Sequence, residues 1–260
     1  MTETTISPDV LIYEKREHVL VLTLNRPEAR NAFNAALSTA LSDALDRYEE
    51  DASLRVCVLT GAGGSFSAGM DLKALLSGER SFTKKRGGFG IMSVPPQKPI
   101  IAAIEGYAVA GGLELALCCD LIVATTASKL GLPEVKRGLV AVGGGLFRFP
   151  KRIPYHVVME LALTGETHPA ERFAQLGLVN KVVPEGQALT AALELANRIA
   201  QNGPLAIAAT KQILAKSSEW SEEEAWREQR ALANRALTSN DAIEGSRAFA
   251  EKRPPVFRGE

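Results

Sequence analysis

The spacing of apolar side chains changes along the chain and divides it into different kinds of element. Residues 10–13, 19–24, 56–60, 100–104 and 121–124 are short, nearly unbroken apolar runs, the pattern of buried strands. A charged turn over residues 14–18 separates the first two, and Pro27 stops the second. From Asn34, Leu37, Leu41, Leu45 and Tyr48 recur at helical spacing, predicting a helix that ends near Asp51. Strand, helix and strand in that order predict an α/β layer arrangement. Residues 154–163, 169–176, 186–200, 204–215 and 222–237 read as helices, several opening at a proline, with a short strand at 179–183 among them. An α/β core over residues 1–200 is thus expected to give way to a helical region over 201–260. Between residues 75 and 97 the pattern decays under repeated Gly and Pro, predicting a mobile or ligand-adapted segment. The basic run Lys84, Lys85, Arg86 within it reads as a solvated cluster.

Composition narrows the class of partner. In 260 residues, 30 basic and 30 acidic side chains cancel, so neither nucleic acid nor an anionic membrane is expected as the main partner. No apolar run reaches the length of a membrane-spanning helix. The first nine residues show no basic stretch leading into an apolar core, so no targeting leader is read there and the cytoplasm is the expected compartment. Cys57, Cys118 and Cys119 are odd in number, two of them adjacent, and all in apolar runs. They are expected as reduced core thiols, with too few ligands at this spacing for a metal site.

Candidate chemistry sits where strands run out into glycine. Residues 61–72 (GAGGSFSAGMDL) fail as a dinucleotide loop because Phe66 stands where a third glycine is needed. As a nucleophile elbow around Ser67 they have Ser65 in place of the first glycine, and His18, His156 and His168 offer no well-placed base. Two readings remain: a tight glycine turn, or a loop whose amides near Gly69 and Met70 stabilise an anion. Residues 106–120 (GYAVAGGLELALCCD) follow a strand and bring Gly106, Gly111 and Gly112 ahead of an apolar helix start. The first amides of a helix point outward unpaired and suit an oxygen carrying negative charge. Glu114 is costly there without a partner or a task. Pro133 fits the first position of a short helix, with Glu134 in its first turn, and a third glycine cluster follows at 143–145. Taken singly, Glu114 satisfied by backbone amides and Glu134 paired with Lys136 or Arg137 are open structural readings.

Five pieces in this order, Asn25-Arg-Pro with Asn31-Ala, then residues 66–71, 106–120, 132–138 and 248–252, resemble the crotonase (enoyl-CoA hydratase/isomerase) superfamily, most nearly a bacterial enoyl-CoA hydratase. The resemblance implies a spiral of ββα units followed by C-terminal helices that pack homotrimers or, as dimers of trimers, homohexamers. It implies an acyl-CoA thioester as substrate, with no resident cofactor and no metal. It places the oxyanion donors on the amides of Met70 and Gly111 and the catalytic carboxylates on Glu114 and Glu134. Asn31, Ala32, Ala68, Gly69, Asp71, Leu72 and Gly112 would border CoA, and Phe249 and Lys252 would reach it from a C-terminal helix.

The implied reaction is reversible hydration of a 2,3-unsaturated acyl-CoA to a 3-hydroxyacyl-CoA. Glu114 would help activate water and Glu134 would donate the proton to Cα. Alternatives are 3,2-enoyl-CoA isomerisation, carnitinyl-CoA-type dehydration, or a catalytically weak acyl-CoA- or RNA-binding member. Ala110 stands where glycine is common, Met70 where alanine is usual, and residues 139–145 replace a proline-containing segment.

Overall fold

The computed structural model describes residues 9–260, so the stretch read for a leader lies, apart from Asp9, outside the described residues. The main sheet runs Leu11–Arg16, Val19–Leu24, Val56–Gly61, Ile100–Ile104, Leu121–Thr125, Lys181–Val183 from edge to edge. Its first pair is antiparallel and every later pair is parallel. The first strand continues through the expected turn: Glu14, Lys15 and Arg16 pair with Val21, Leu20 and Val19, leaving only Glu17 and His18 to reverse the chain. An edge strand with one face in water tolerates such charges.

Alternation along these strands splits the core in two. Leu20, Leu22, Leu24, Leu59, Ala102 and Ile104 join the larger core on one face. Val19, Val58, Ile101, Ala103 and Val123 meet Ala188, Ala192 and Ala196 of the helix Ala188–Ala200 on the other. The carboxylate of Glu105 accepts the amides of Gly186 and Ala188 at 3.1 and 3.0 Å, which suits the positive end of that helix.

A second layer holds Tyr107–Val109, Lys129–Gly131 and Thr167–Pro169. Ser67 joins it by a bridge to Ala108, and Phe33 bridges Met70 beyond. Successive turns therefore repeat one plan: a main-sheet strand, a short strand in the second layer, then a helix. Ile100–Ile104, Tyr107–Val109 and Gly111–Ala116 make one turn; Leu121–Thr125, Lys129–Gly131 and Pro133–Arg137 make the next. This is the expected ββα spiral, and it stacks the exits of neighbouring turns side by side.

The helix Ala35–Glu50 begins where Asn34 accepts the Leu37 amide at 3.0 Å. Tyr155–Thr164, Ala170–Gln175, Pro204–Lys216 and Glu222–Leu237 match the periodicity to within a residue or two. Asn240–Ala250, started by a Ser239 cap, was not legible as periodicity. The three cysteines are free and buried, and burial pushes the Cys118 thiol up to about 11. Among the described residues, no helix is long and apolar enough to cross a membrane, and no group of three or more His, Cys, Asp or Glu is placed to hold a metal ion.

The basic run is not uniformly solvated. Arg86 is 1% exposed and pairs with Asp46 and Glu49, each at 2.6 Å, while donating to the Val94 carbonyl. Asp46 and Glu49 lie three residues apart on one helix face and so present two carboxylates to one guanidinium. A short hairpin, Phe82–Thr83 with Gly87–Gly88, delivers Arg86 to them. Part of the segment expected to be mobile is thereby fastened to the helix Ala35–Glu50.

Candidate active site

Two glycine loops meet at the heart of the molecule. Gly69 has φ 91°, and a Cβ there would lie 2.8 Å from the Gly111 nitrogen, so the two backbones touch. The Gly69 amide is taken by the Ser67 hydroxyl at 3.1 Å, and its carbonyl by the Phe33 amide at 2.8 Å. Among the described residues, the neighbouring amides of Met70 and Gly111 have no backbone acceptor. The contact between Gly69 and Gly111 brings the two loops together, and amides of this kind at a helix start are donors suited to an oxygen carrying negative charge. Gly111 is required on steric grounds too, since a Cβ would stand 2.6 Å from the Phe89 ring, which itself stacks on Phe33 with centroids 4.3 Å apart.

The residue before Gly111 is held under strain. Ala110 has φ 53° and ψ −132°, a region that side-chain-bearing residues rarely occupy. Its amide bonds the Gly131 carbonyl at 3.0 Å and its carbonyl accepts from Leu113 and Glu114, which fixes the direction of the helix Gly111–Ala116.

That helix carries Glu114 into the interior, where it is 4% exposed. Its Oε1 accepts the Gly145 amide at 2.8 Å. Burial raises its proton affinity, and the amides of Gly145 and Gly143 offset only part of the rise. The reading in which backbone amides satisfy Glu114 is therefore correct for one oxygen. It does not preclude chemistry at the other.

Glu134 enters from the short helix Pro133–Arg137. Among the described residues, its buried Oε2 has no hydrogen-bond partner. Burial is the main cause of its raised pKa; its own backbone amide offsets part of the rise, the charge of Glu114 adds to it, and the charge of Arg137 opposes it. A carboxyl group left unpartnered in a wall is costly in an empty site and well suited to holding or giving a proton. Both carboxyl groups have elevated proton affinity, and the charge of Glu114 is felt at Glu134.

The remaining expected residues divide by role. Asp71 caps the helix Leu72–Leu76 and pairs with Arg26 at 3.0 Å; burial opposes its ionisation, but the Ala74 amide and Arg26 outweigh it and hold its pKa low. Asn31 is fully buried, donating to the Ala62 and Ser65 carbonyls and accepting the Arg26 amide, so its side chain braces the loop. Ala32 accepts from Arg26, and the Ala68 amide bonds Arg30. A Cβ on Gly112 would lie 2.1 Å from the Ser67 carbonyl, so its α-carbon faces protein. Met70, 37% exposed, and Leu72 border open space beside these loops. Phe249 and Lys252 are not gathered with this group: Phe249 is 88% exposed near the end of Asn240–Ala250, and Lys252 follows that helix on the surface.

Two positioning residues escaped the sequence reading. Arg148 donates to the Gly143 carbonyl at 3.1 Å and the Met92 carbonyl at 2.6 Å, bracing the loop whose Gly145 amide holds Glu114. Phe89 packs over Gly111 from the segment with decayed periodicity. Gly143 was visible as part of a glycine cluster, but its requirement comes from space, since a Cβ would lie 2.6 Å from Glu114 Oε2.

Residues 14–260 match the family model described as enoyl-CoA hydratase/isomerase. Enoyl-CoA hydratase EchA19 of Mycobacterium tuberculosis is 41% identical, covering 99% of each chain. Carnitinyl-CoA dehydratase of Salmonella enteritidis is 43% identical, covering 93% of this chain and 95% of that one. The crystal structure of enoyl-CoA hydratase EchA1 from Mycobacterium marinum superposes with a TM-score of 0.95 at 55% identity, over 97% of this chain and all of the other. With its ββα spiral, its paired glycine loops and a match that runs nearly end to end, the chain belongs to the enoyl-CoA hydratase/isomerase family of crotonase-like enzymes.

Proposed function

We propose that the protein catalyses the reversible addition of water across the 2,3-double bond of an enoyl-CoA, giving the 3-hydroxyacyl-CoA. The observation that carries this reading is that Glu134, whose buried Oε2 has no partner, feels the charge of Glu114, itself held at one oxygen by the Gly145 amide. The thioester oxygen would accept the amides of Met70 and Gly111, drawing electron density from the double bond toward the carbonyl. A donor of this kind contributes roughly 3 kcal/mol to transition-state binding. Water would give its proton to the carboxylate pair as its oxygen bonds Cβ, and Glu134 would supply the proton that reaches Cα. The reverse path would remove that proton and expel the hydroxyl as water. Two carboxyl groups with raised proton affinity suit an exchange in which one accepts while the other donates.

CoA enters as part of the substrate in this reading, with no resident cofactor. Asp71, Leu72 and the loops beside them would border it, with Phe249 and Lys252 completing the site from a neighbouring copy. Exposed Leu214, Trp226, Leu237, Ile243 and Phe249 on the last three helices support assembly as a trimer or hexamer in the cytoplasm, with residues 201–260 as the assembling region. Dehydration of carnitinyl-CoA is the second reading, favoured by the 43% identical relative of that name.

Incubating the protein with crotonyl-CoA and longer 2-enoyl-CoA esters, and following loss of the conjugated absorbance, tests the proposal. Hydration is expected. Esters that bind and are hydrated at no length would sink it.

A further inference from the structure

A cavity of about 360 Å³ opens beside Glu134, walled by Leu132, Val140, Leu146, Tyr155, Met159 and Leu163. Among the described residues, Glu134 is the only charged one in its lining. Three elements build it: the short helix Pro133–Arg137, the stretch leading to Gly145–Arg148, and the helix Tyr155–Thr164. On the last of these, Tyr155, Met159 and Ala162 succeed one another at helical spacing and line the same cavity. Several wall residues, among them Val140, Leu146 and Leu163, are large apolar side chains left in contact with water. Such a contiguous surface is stabilised by an apolar occupant that displaces the water.

The position of Glu134 selects that occupant. If Glu134 serves Cα, as the proposed function has it, the cavity begins at the reacting carbons, and whatever the acyl group carries beyond Cβ extends into it. An aliphatic cavity of about 150 Å³ takes one benzene, so by the same measure this one has room for up to about fourteen further carbons. Its chemistry also discriminates by charge. A trimethylammonium group is recognised by several aromatic faces or by a paired carboxylate. Among the described residues the lining holds one aromatic, the mostly exposed Tyr155, and one carboxylate, Glu134.

We infer that the acyl group is an uncharged, apolar chain of medium to long reach, up to about seventeen carbons by the volume of the cavity, and that Met159 and Ala162 set its limit. Such a chain is preferred over a cationic acyl group of the carnitinyl kind, to which the lining offers a single aromatic face and no carboxylate beyond Glu134. This inference rests on the catalytic role proposed for Glu134.

Two measurements test it: kcat/KM for 2-enoyl-CoA esters of increasing length, and calorimetric affinity for saturated acyl-CoA esters, which need no chemistry. The first is expected to rise about fourfold per methylene before reaching a limit, the ratio that burial of one CH₂ supplies. Ala162→Phe should cut the ratio of decenoyl to crotonyl kcat/KM by about tenfold or more, the scale of two such methylenes, and Met159→Ala should move the optimum to longer chains. A trimethylammonium-bearing butenoyl-CoA should react far more slowly than octenoyl-CoA. A flat length profile, an optimum unmoved in both variants, or preference for the cationic ester overturns the inference. If no ester is hydrated yet saturated-ester affinity climbs with length and Ala162→Phe removes the gain, the hydratase reading falls and the pocket assignment stands. Affinity indifferent to length overturns the pocket assignment whatever the chemistry.

Discussion

Glu114 Oε1 accepts the Gly145 amide at 2.8 Å, joining a helix start to a glycine loop thirty-one residues later. A Cβ on Gly145 would lie 3.0 Å from both Cγ and Oε1 of Glu114. Gly145→Ala is therefore expected to displace the carboxylate, lowering kcat about tenfold or more while KM changes little, since misplacement of a catalytic group acts mainly on the chemical step. Steady-state kinetics with an enoyl-CoA ester reads this directly.

Glu134→Gln keeps the shape of the side chain and removes its proton chemistry. Turnover is expected to fall by roughly 10²–10⁴, the range for loss of a general acid or base, with ester affinity within a few-fold of the parent. Affinity and turnover falling in parallel would assign Glu134 a structural role.

The carboxyl pair also makes a statement about stability. Both groups have pKa values raised above the ordinary glutamate value of 4.5, chiefly through burial. The folded chain then binds these protons more tightly than the unfolded chain does. Their contribution is fully present below about 4.5 and is lost as pH rises through the elevated values. The double variant Glu114→Gln, Glu134→Gln should melt above the parent at pH 7, with the gap closing toward pH 4. Thermal scans across that range check the sign.

Ala110, at φ 53° and ψ −132°, pays a backbone cost that glycine avoids. Ala110→Gly should stabilise the fold by about 1 kcal/mol, the strain relieved exceeding the entropy that glycine adds to the unfolded chain. A denaturation midpoint unchanged or lowered would show that the local packing of the methyl group outweighs the strain.

Arg86→Ala removes the guanidinium between Asp46 and Glu49 and leaves the Val94 carbonyl without its donor. Breaking a buried pair in this way costs about 3–5 kcal/mol. A marked fall in melting temperature is expected, and retained stability would show that the buried pairing contributes little net stability.

Much of this protein is legible before folding because local rules dominate it. The strand Ile100–Ile104 is apolar at every position, and the helix Ala35–Glu50 carries its own cap in Asn34 and its own stripe from Leu37 to Tyr48. Glu114 and Glu134 were visible because each stands beside start signals, glycines in one case and Pro133 in the other. Where the reading went astray, longer-range partners decided. The charges at Glu14 to Arg16 look like a turn until Val19 to Val21 pair with them, and Arg86 looks solvated until Asp46 and Glu49 meet it.

The sequence by itself determined the α/β alternation, the glycine loops and the residue types at the two carboxylate positions, since these follow from spacing and from what each side chain permits its own backbone. Only the tertiary structure decided that Gly69 touches Gly111, that Gly145 and Arg148 brace Glu114, and that an apolar cavity opens beside Glu134. Those relations join residues tens of positions apart through the stacking of successive ββα turns. No local pattern encodes a distance between two turns of a spiral; packing of the layers sets it.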